Sequence, residues 1–437
     1  MAQYRTDTKK LDAALQTRFE TFVLSDRFTV SGNATDAFGR LRVSNPLTIF
    51  DSAHRYEENA KWVSKTNGVG ANTDYKINES AIDMNVGTAS GEYVYRETKR
   101  VFPYQPGKSL LILNTFVFNQ QKENLRQRIG YFDTQNGIFL ENDGTDNYLV
   151  LRSYVTGMVN ETRVAQSDWN VDKFDGTGYS SQLNDEHAGR QLDISKSNIF
   201  WMDVEWLGVG DVRCGFVVDG KFYTAHIFHN DNLNSTTYMT TAILPLRYEI
   251  ENTGLTSSAS KIKQICSSVM SEGGYELRGR SRSFGIPIAS AKSIPTAGTF
   301  TPIISIRISD SFPNGIAILK AASFIGTTSN KIYRYKIVTG GTLTGASWQS
   351  AGANSHVQYD VSATAITGGI DRAMGYVIVG PGDGAASEAL RGQDLFEFQL
   401  ERDPFVVSNT GYAISLVATG SADSTSALGH MTWEELA

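Results

Sequence analysis

Residues 199–229 read IFWMDVEWLGVGDVRCGFVVDGKFYTAHIFH. Phe200, Met202, Val204 and Trp206 alternate with Trp201, Asp203, Glu205 and Leu207. A period of two puts the first set on one face of a strand and the acidic set on the other. Gly208–Asp211 and Asp219-Gly220 cut the run into three strands, since Asp-Gly accepts the positive φ of a tight hairpin. The stretch is therefore a three-strand meander with one apolar face, and that face needs a second sheet to cover it.

The same pattern spreads outward. Residues 126–155, RQRIGYFDTQNGIFLENDGTDNYLVLRSYV, give another meander. Asn-Gly begins at 67, 136 and 314, and Asp-Gly at 143, 175, 219 and 383. The 40 glycines, 19 tyrosines and 22 phenylalanines suit an all-β chain with many turns. A sandwich over about residues 55–280 is the economical solution. SEGGYELRGRSRSFGIPIASAKSIPTAG, 271–298, breaks the pattern with glycine and proline and reads as a connection. TPIISIRI, KIYRYKIV, MGYVIVG, LFEFQLE, GYAISLVATG and HMTWEEL then supply a second sandwich or jelly roll. The start differs. In KLDAALQTRFETFVL, 10–24, Leu11, Leu15, Phe19 and Phe22 recur at helical spacing. An extended arm with Phe38, Arg40, Leu41, Arg42, Val43 and Phe50 follows. The expected fold is all-β: two β-sandwich or jelly-roll domains, 46–285 and 286–437, preceded by a helix and arm, 1–45.

Composition narrows the function. The net charge of −6 lacks the basic footprint of a nucleic-acid or membrane-surface binder. Charged residues in the first twelve positions argue against a secretory leader, and no apolar run nears the ~20 residues of a membrane span. Synthesis in a cytoplasm is expected. Cys214 and Cys266 lie in apolar runs and read as buried free thiols.

Candidate chemistry is sparse. Gly107-Lys108-Ser109 resembles the end of a phosphate loop, but Phe102 stands where the first glycine belongs, with Pro103 and Pro106 between. Asp203 and Glu205 share a strand face, as paired carboxylates of sandwich glycosidases do, though without a third; the simpler reading is a solvated face. His226 and His229 fall on opposite faces of a strand, so one metal cannot take both. ENDGTDN, 141–147, offers calcium oxygen ligands but coincides with a hairpin turn. Arg278, Arg280 and Arg282 suit salt bridges to a neighbouring domain or subunit. The residues point to no enzyme, catalytic centre, cofactor or metal.

Four segments carry a resemblance: DAFGRLRVSNPLTIFDS (36–52), ETKRVFPYQPGKSLLI (97–112), ENLRQRIGYFDTQNGIFLE (123–141) and SEGGYELRG (271–279). Together they resemble a family of tailed-bacteriophage virion structural proteins, common among marine phages. Nothing comparable follows Gly285. The resemblance implies a structural component of the virion, on the capsid surface or in the tail or fibre apparatus. Its expected partners are other virion proteins and copies of itself, with a trimer the expected state. The assembly contacts would be Leu11, Leu15, Phe19, Phe22, Phe38, Arg40, Leu41, Arg42, Val43 and Phe50, because an apolar helix stripe and an alternating arm make sense when a neighbour covers them. The alternative is a glycan-binding adhesin gripping host polysaccharide.

Overall fold

In strand Asn198–Val204 the expected alternation is realised: Phe200, Met202 and Val204 are fully buried, while Asp203 faces outward. The computed structural model describes residues 45–177, 191–381, 388–391, 398–406 and 412–436. Residues 46–437 form one compact unit. The helix and arm expected over 1–45 lie outside the described residues, apart from Asn45.

Two antiparallel sheets make the first sandwich. One runs Lys221–Phe228, Val212–Val218, Asn198–Val204, Ser109–Val117, Ser260–Glu272, Ala81–Val86, Asn72–Lys76. The other runs Asn160–Ala165, Asn147–Ser153, Gly137–Asn142, Leu125–Phe132, Leu246–Asn252, Tyr93–Thr98, Trp62–Asn67. Strand Ser260–Glu272 pairs with Ser109–Val117 along one edge and with two further strands, in turn, along the other. Its first part pairs with Ala81–Val86, and Ser267–Glu272 pairs with Pro46–Ser52. The core between the sheets holds Phe116, Phe200, Tyr131 and Tyr248, all essentially unexposed. The Tyr131 hydroxyl stays satisfied there, donating toward Ala242 O at 2.6 Å and accepting from Leu244 N at 3.1 Å.

The second sandwich packs a five-stranded sheet on a six-stranded one. The first is Arg280–Gly285, Thr425–Leu436, Ile316–Gly326 and Glu388–Arg391, with Lys292–Ile294 also on Thr425–Leu436. The second is Gln349–Ser350, Val357–Asp360, Thr301–Ile308, Ile414–Gly420, Lys331–Thr339, Ile370–Val379. Trp433, Tyr333 and Phe324 centre its core. Part of the segment read as a connection is thus a strand: Arg280–Gly285 pairs with His430–Glu435. Arg282 bonds the buried Glu435 carboxylate at 3.1 Å.

The two sandwiches share an apolar cluster of Val101, Ile316, Ile318 and Leu436, with Leu47, Ile49, Tyr275 and Leu277 against it. Charge joins them too. Arg402 and Arg247 both reach Glu97 at 2.8 Å, and all three side chains are buried. Arg247 Nε meets Glu249 at 2.6 Å, and Arg128 meets Glu249 at 3.5 Å. Alternating charges therefore run from the second sandwich across the outer face of the seven-stranded sheet.

Two sequence expectations need correction. Phe50, placed among the assembly contacts, lies in this chain's own core, 6.2 Å from the Trp62 ring and 4.8 Å from the Phe102 ring. Cys266 is exposed, because its strand bulges between Gln264 and Ser267 where it changes partner; only Cys214 is buried. The dipeptides also divide. Asn136-Gly137, Asp143-Gly144 and Asp219-Gly220 join directly paired strands. Asn67-Gly68 instead links strands of different sheets. Among the described residues no helix is long and apolar enough to cross a membrane.

Candidate functional site

The outward face of the eight-stranded sheet gathers charge because register places one polar residue on each of several adjacent strands. Asp203 pairs across to Arg213 on one side and Leu111 on the other, and Ser109 stands opposite Glu272. Arg213 Nη1 lies 3.8 Å from Asp203 Oδ2. The Ser109 hydroxyl donates to Glu272 Oε2 at 2.8 Å. Beyond the strand end, Glu205 is exposed and Tyr104 closes one side, its hydroxyl accepting from Leu207 N at 3.2 Å.

These groups enclose a cavity of about 370 Å³, walled by Asp203, Glu205, Asp211 and Glu272 and by Lys108 and Arg213. Asp203 is its most constrained acid. Oδ1 is buried with no hydrogen-bond partner among the described residues. Burial, with Glu272 and Glu205 nearby, pushes its carboxyl above the ordinary carboxylate range despite Arg213 and Ser109. A wall of acceptors with one carboxyl biased toward its protonated form can accept hydroxyl hydrogens and can donate a proton.

Gly107-Lys108-Ser109 thus has a place unrelated to phosphate. Gly107, at φ +85°, turns the chain into strand Ser109–Val117, and Lys108 and Ser109 enter the cavity wall. A second cavity of about 450 Å³ adjoins the first through Tyr104 and Lys108 and is lined further by Tyr275, Arg278 and Leu436.

The histidines separate as strand geometry requires. His226 is buried; Nδ1 accepts from Asn170 N at 3.3 Å, and burial lowers its pKa to about 4. His229 is exposed, with Nδ1 2.9 Å from Asp211 Oδ2. Asp231 joins them: one ligand atom each from Asp211, His229 and Asp231 lies within 4.8 Å of the others. The hairpin pairing of Val212 with Phe228 brings Asp211 toward His229, a juxtaposition that chain spacing alone does not reveal. The acidic turn considered for calcium is occupied by its own backbone. Asp143 Oδ1 accepts from Thr145 N at 3.0 Å and Asp146 N at 3.1 Å, and Oδ2 meets Arg163 at 3.0 Å. Burial opposes ionisation there, but these bonds prevail and hold its pKa at about 2.

Of the expected assembly contacts, Leu11, Leu15, Phe19, Phe22, Phe38, Arg40, Leu41, Arg42 and Val43 lie outside the described residues, and Phe50 is in the core. Asp203 and Glu205, paired by the sequence but read as a solvated face, line the cavity, and Lys108 joins them from the segment set aside as a phosphate loop. Asp211 and Glu272 have no signal in the sequence: a hairpin turn places the first and the distant pairing with Ser109 the second.

No family model and no curated protein matches the chain. Several solved structures are similar over about half of it. One is the endo-β-1,4-glucuronan lyase of the fungus Trichoderma reesei, at 12% identity and TM-score 0.31, covering 51% of this chain and 95% of that one. The Bacillus licheniformis β-glucanase follows at 11% and 0.30, covering 53% and 99%. The CBM2 module of the evolved Dit of Lactobacillus casei BL23 phage J-1 stands at 7% and 0.32, covering 54% and 100%. Likeness of this degree carries no argument about ligand or mechanism. The expectation of no enzymatic activity is nevertheless corrected: a glucanase and a lyase are among the similar structures, and the exclusion does not stand.

Proposed function

We propose that this chain is a component of a tailed-phage particle that binds carbohydrate in the acidic cavity of its first sandwich. The observation that carries the reading is the convergence of Asp203, Glu205, Asp211 and Glu272 on one cavity of about 370 Å³, with Asp203 Oδ1 buried and unpartnered. A sugar's hydroxyls are the complementary donors, and an unpaired buried acceptor is costly until such a donor arrives. Four acids against Lys108 and Arg213 leave the wall net acidic, which disfavours uronates and sialates and favours neutral or amino sugars. Support for the particle comes from the four family-like segments. Two of them, 97–112 and 271–279, contribute Lys108, Ser109 and Glu272 to this wall. In this reading residues 1–45 attach the chain to other virion proteins or to copies of itself, as a trimer.

Screening the purified full chain against neutral, amino and acidic glycans tests the proposal. Saturable binding of a neutral or amino-sugar glycan, weakened about tenfold or more by Asp203→Asn and Glu272→Gln, is expected. Binding only to acidic glycans, or binding indifferent to both substitutions, would count against it.

Cleavage of the bound glycan is a second reading, favoured by the raised Asp203 carboxyl beside Glu205 and Glu272. General-acid protonation of a glycosidic oxygen requires such a pairing. Product analysis after prolonged incubation decides it: new reducing ends that vanish in Asp203→Asn support cleavage, and intact glycan excludes it.

A further inference from the structure

We propose that Asp211, His229 and Asp231 form a binding site for one divalent transition-metal cation of the Zn2+ or Mn2+ type. The donor set fixes the class. One imidazole nitrogen with two carboxylates suits these ions, whereas Ca2+ and Mg2+ take oxygen alone. The three ligand atoms lie within 4.8 Å of one another, and bonds of about 2.1 Å require separations of roughly 3–4 Å. His229 Nδ1 and Asp211 Oδ2, 2.9 Å apart, already meet that demand. Asp231 is exposed, with its ligand atom within 4.8 Å of the other two.

Two further observations separate this cluster from an ordinary ion pair. First, Asp231 has no hydrogen bond or ion pair among the described residues, and its ligand atom lies within 4.8 Å of those of Asp211 and His229. Two carboxylates so placed repel unless a positive charge stands between them. Second, the loop is anchored from beneath. Buried Asn230 donates its side-chain amide to Gly210 O at 2.9 Å and its backbone N–H to Asp211 Oδ1 at 3.2 Å. His229 and Asp231 therefore flank a fixed residue and reach Asp211 from a preset backbone. Asp211 belongs to the sugar-cavity wall and His229 to a third cavity of about 550 Å³, so space for water or ligand adjoins the cluster on two sides. Three protein ligands leave at least one coordination position open.

Calorimetric titration of the tag-free full chain with ZnCl2, MnCl2 and CaCl2 is the test, in a Cys266→Ser background because that exposed thiol can itself take Zn2+. One saturable Zn2+ or Mn2+ equivalent per chain is expected, weakened at least tenfold by His229→Ala and by Asp231→Asn. Both residues are exposed, and circular dichroism confirms that the variants fold. No saturable binding, binding unaffected by both substitutions, or equal affinity for Ca2+ would overturn the proposal. No sugar is present in this titration, so its failure leaves the carbohydrate reading standing, and the reverse also holds.

Discussion

At the scale of single residues, buried ionisable groups set how the protein meets acid. His54 is fully buried. Its Nδ1 accepts from Asn59 N at 3.1 Å, and its Nε2 has no partner among the described residues. Burial, then Arg96, lower its pKa to about 4, against the opposing pull of Glu58. The unfolded chain's histidine titrates near 6.5 and so takes up the proton first as pH falls. The stability this residue contributes is whole above about pH 6.5 and is lost toward pH 4; His226 behaves alike. Denaturant midpoints should therefore fall from pH 6.5 to 4. In a His54→Gln, His226→Gln variant that dependence should flatten, carboxylate titration supplying what remains. An undiminished slope would mean that neither histidine is held neutral.

Among the strands, glycines fail for two different reasons. Asp219 and Gly220, at φ +50° and +74°, make the tight turn between Val212–Val218 and Lys221–Phe228, and a Cβ on Gly220 would meet nothing within 4 Å. Gly220→Ala should cost only the left-handed backbone penalty, about 1 kcal/mol. Gly130 has an ordinary backbone, but its Cβ would lie 2.4 Å from Ile138 O in the paired strand. Gly130→Ala must push two strands apart and should cost about 3 kcal/mol. Urea unfolding of the two variants gives the order; equal losses would contradict it. The hairpin at 219–220 was legible because the dipeptide and the flanking alternation are local. The double duty of one edge of Ser260–Glu272 was not, since the strands that share that edge lie at residues 46–52 and 81–86. Arg280–Gly285 hid among glycines and prolines that read as linker. The site divides likewise: Asp203 and Glu205 share a face by period two, whereas Glu272 reaches them only through strand pairing.

Across the whole molecule, Glu97 couples the sandwiches by binding Arg247 of its own sheet and Arg402 of the other domain. Breaking a buried pair leaves a charge uncompensated, at roughly 3–5 kcal/mol. Wild-type protein should unfold in one calorimetric transition, and Glu97→Gln should resolve two, with the second sandwich released from the first. A single, merely lowered transition would show that the apolar cluster around Ile316 and Leu436 suffices for coupling. Strand Pro46–Ser52, finally, finds its hydrogen bonds on Ser267–Glu272. On the ribosome it must wait while more than 200 further residues are made, about 10–40 s at 5–20 residues per second. Throughout that interval Leu47 and Ile49, whose apolar neighbours Ile316 and Leu436 come later still, stand uncovered at the front of a growing chain, open to a chaperone or to another nascent copy.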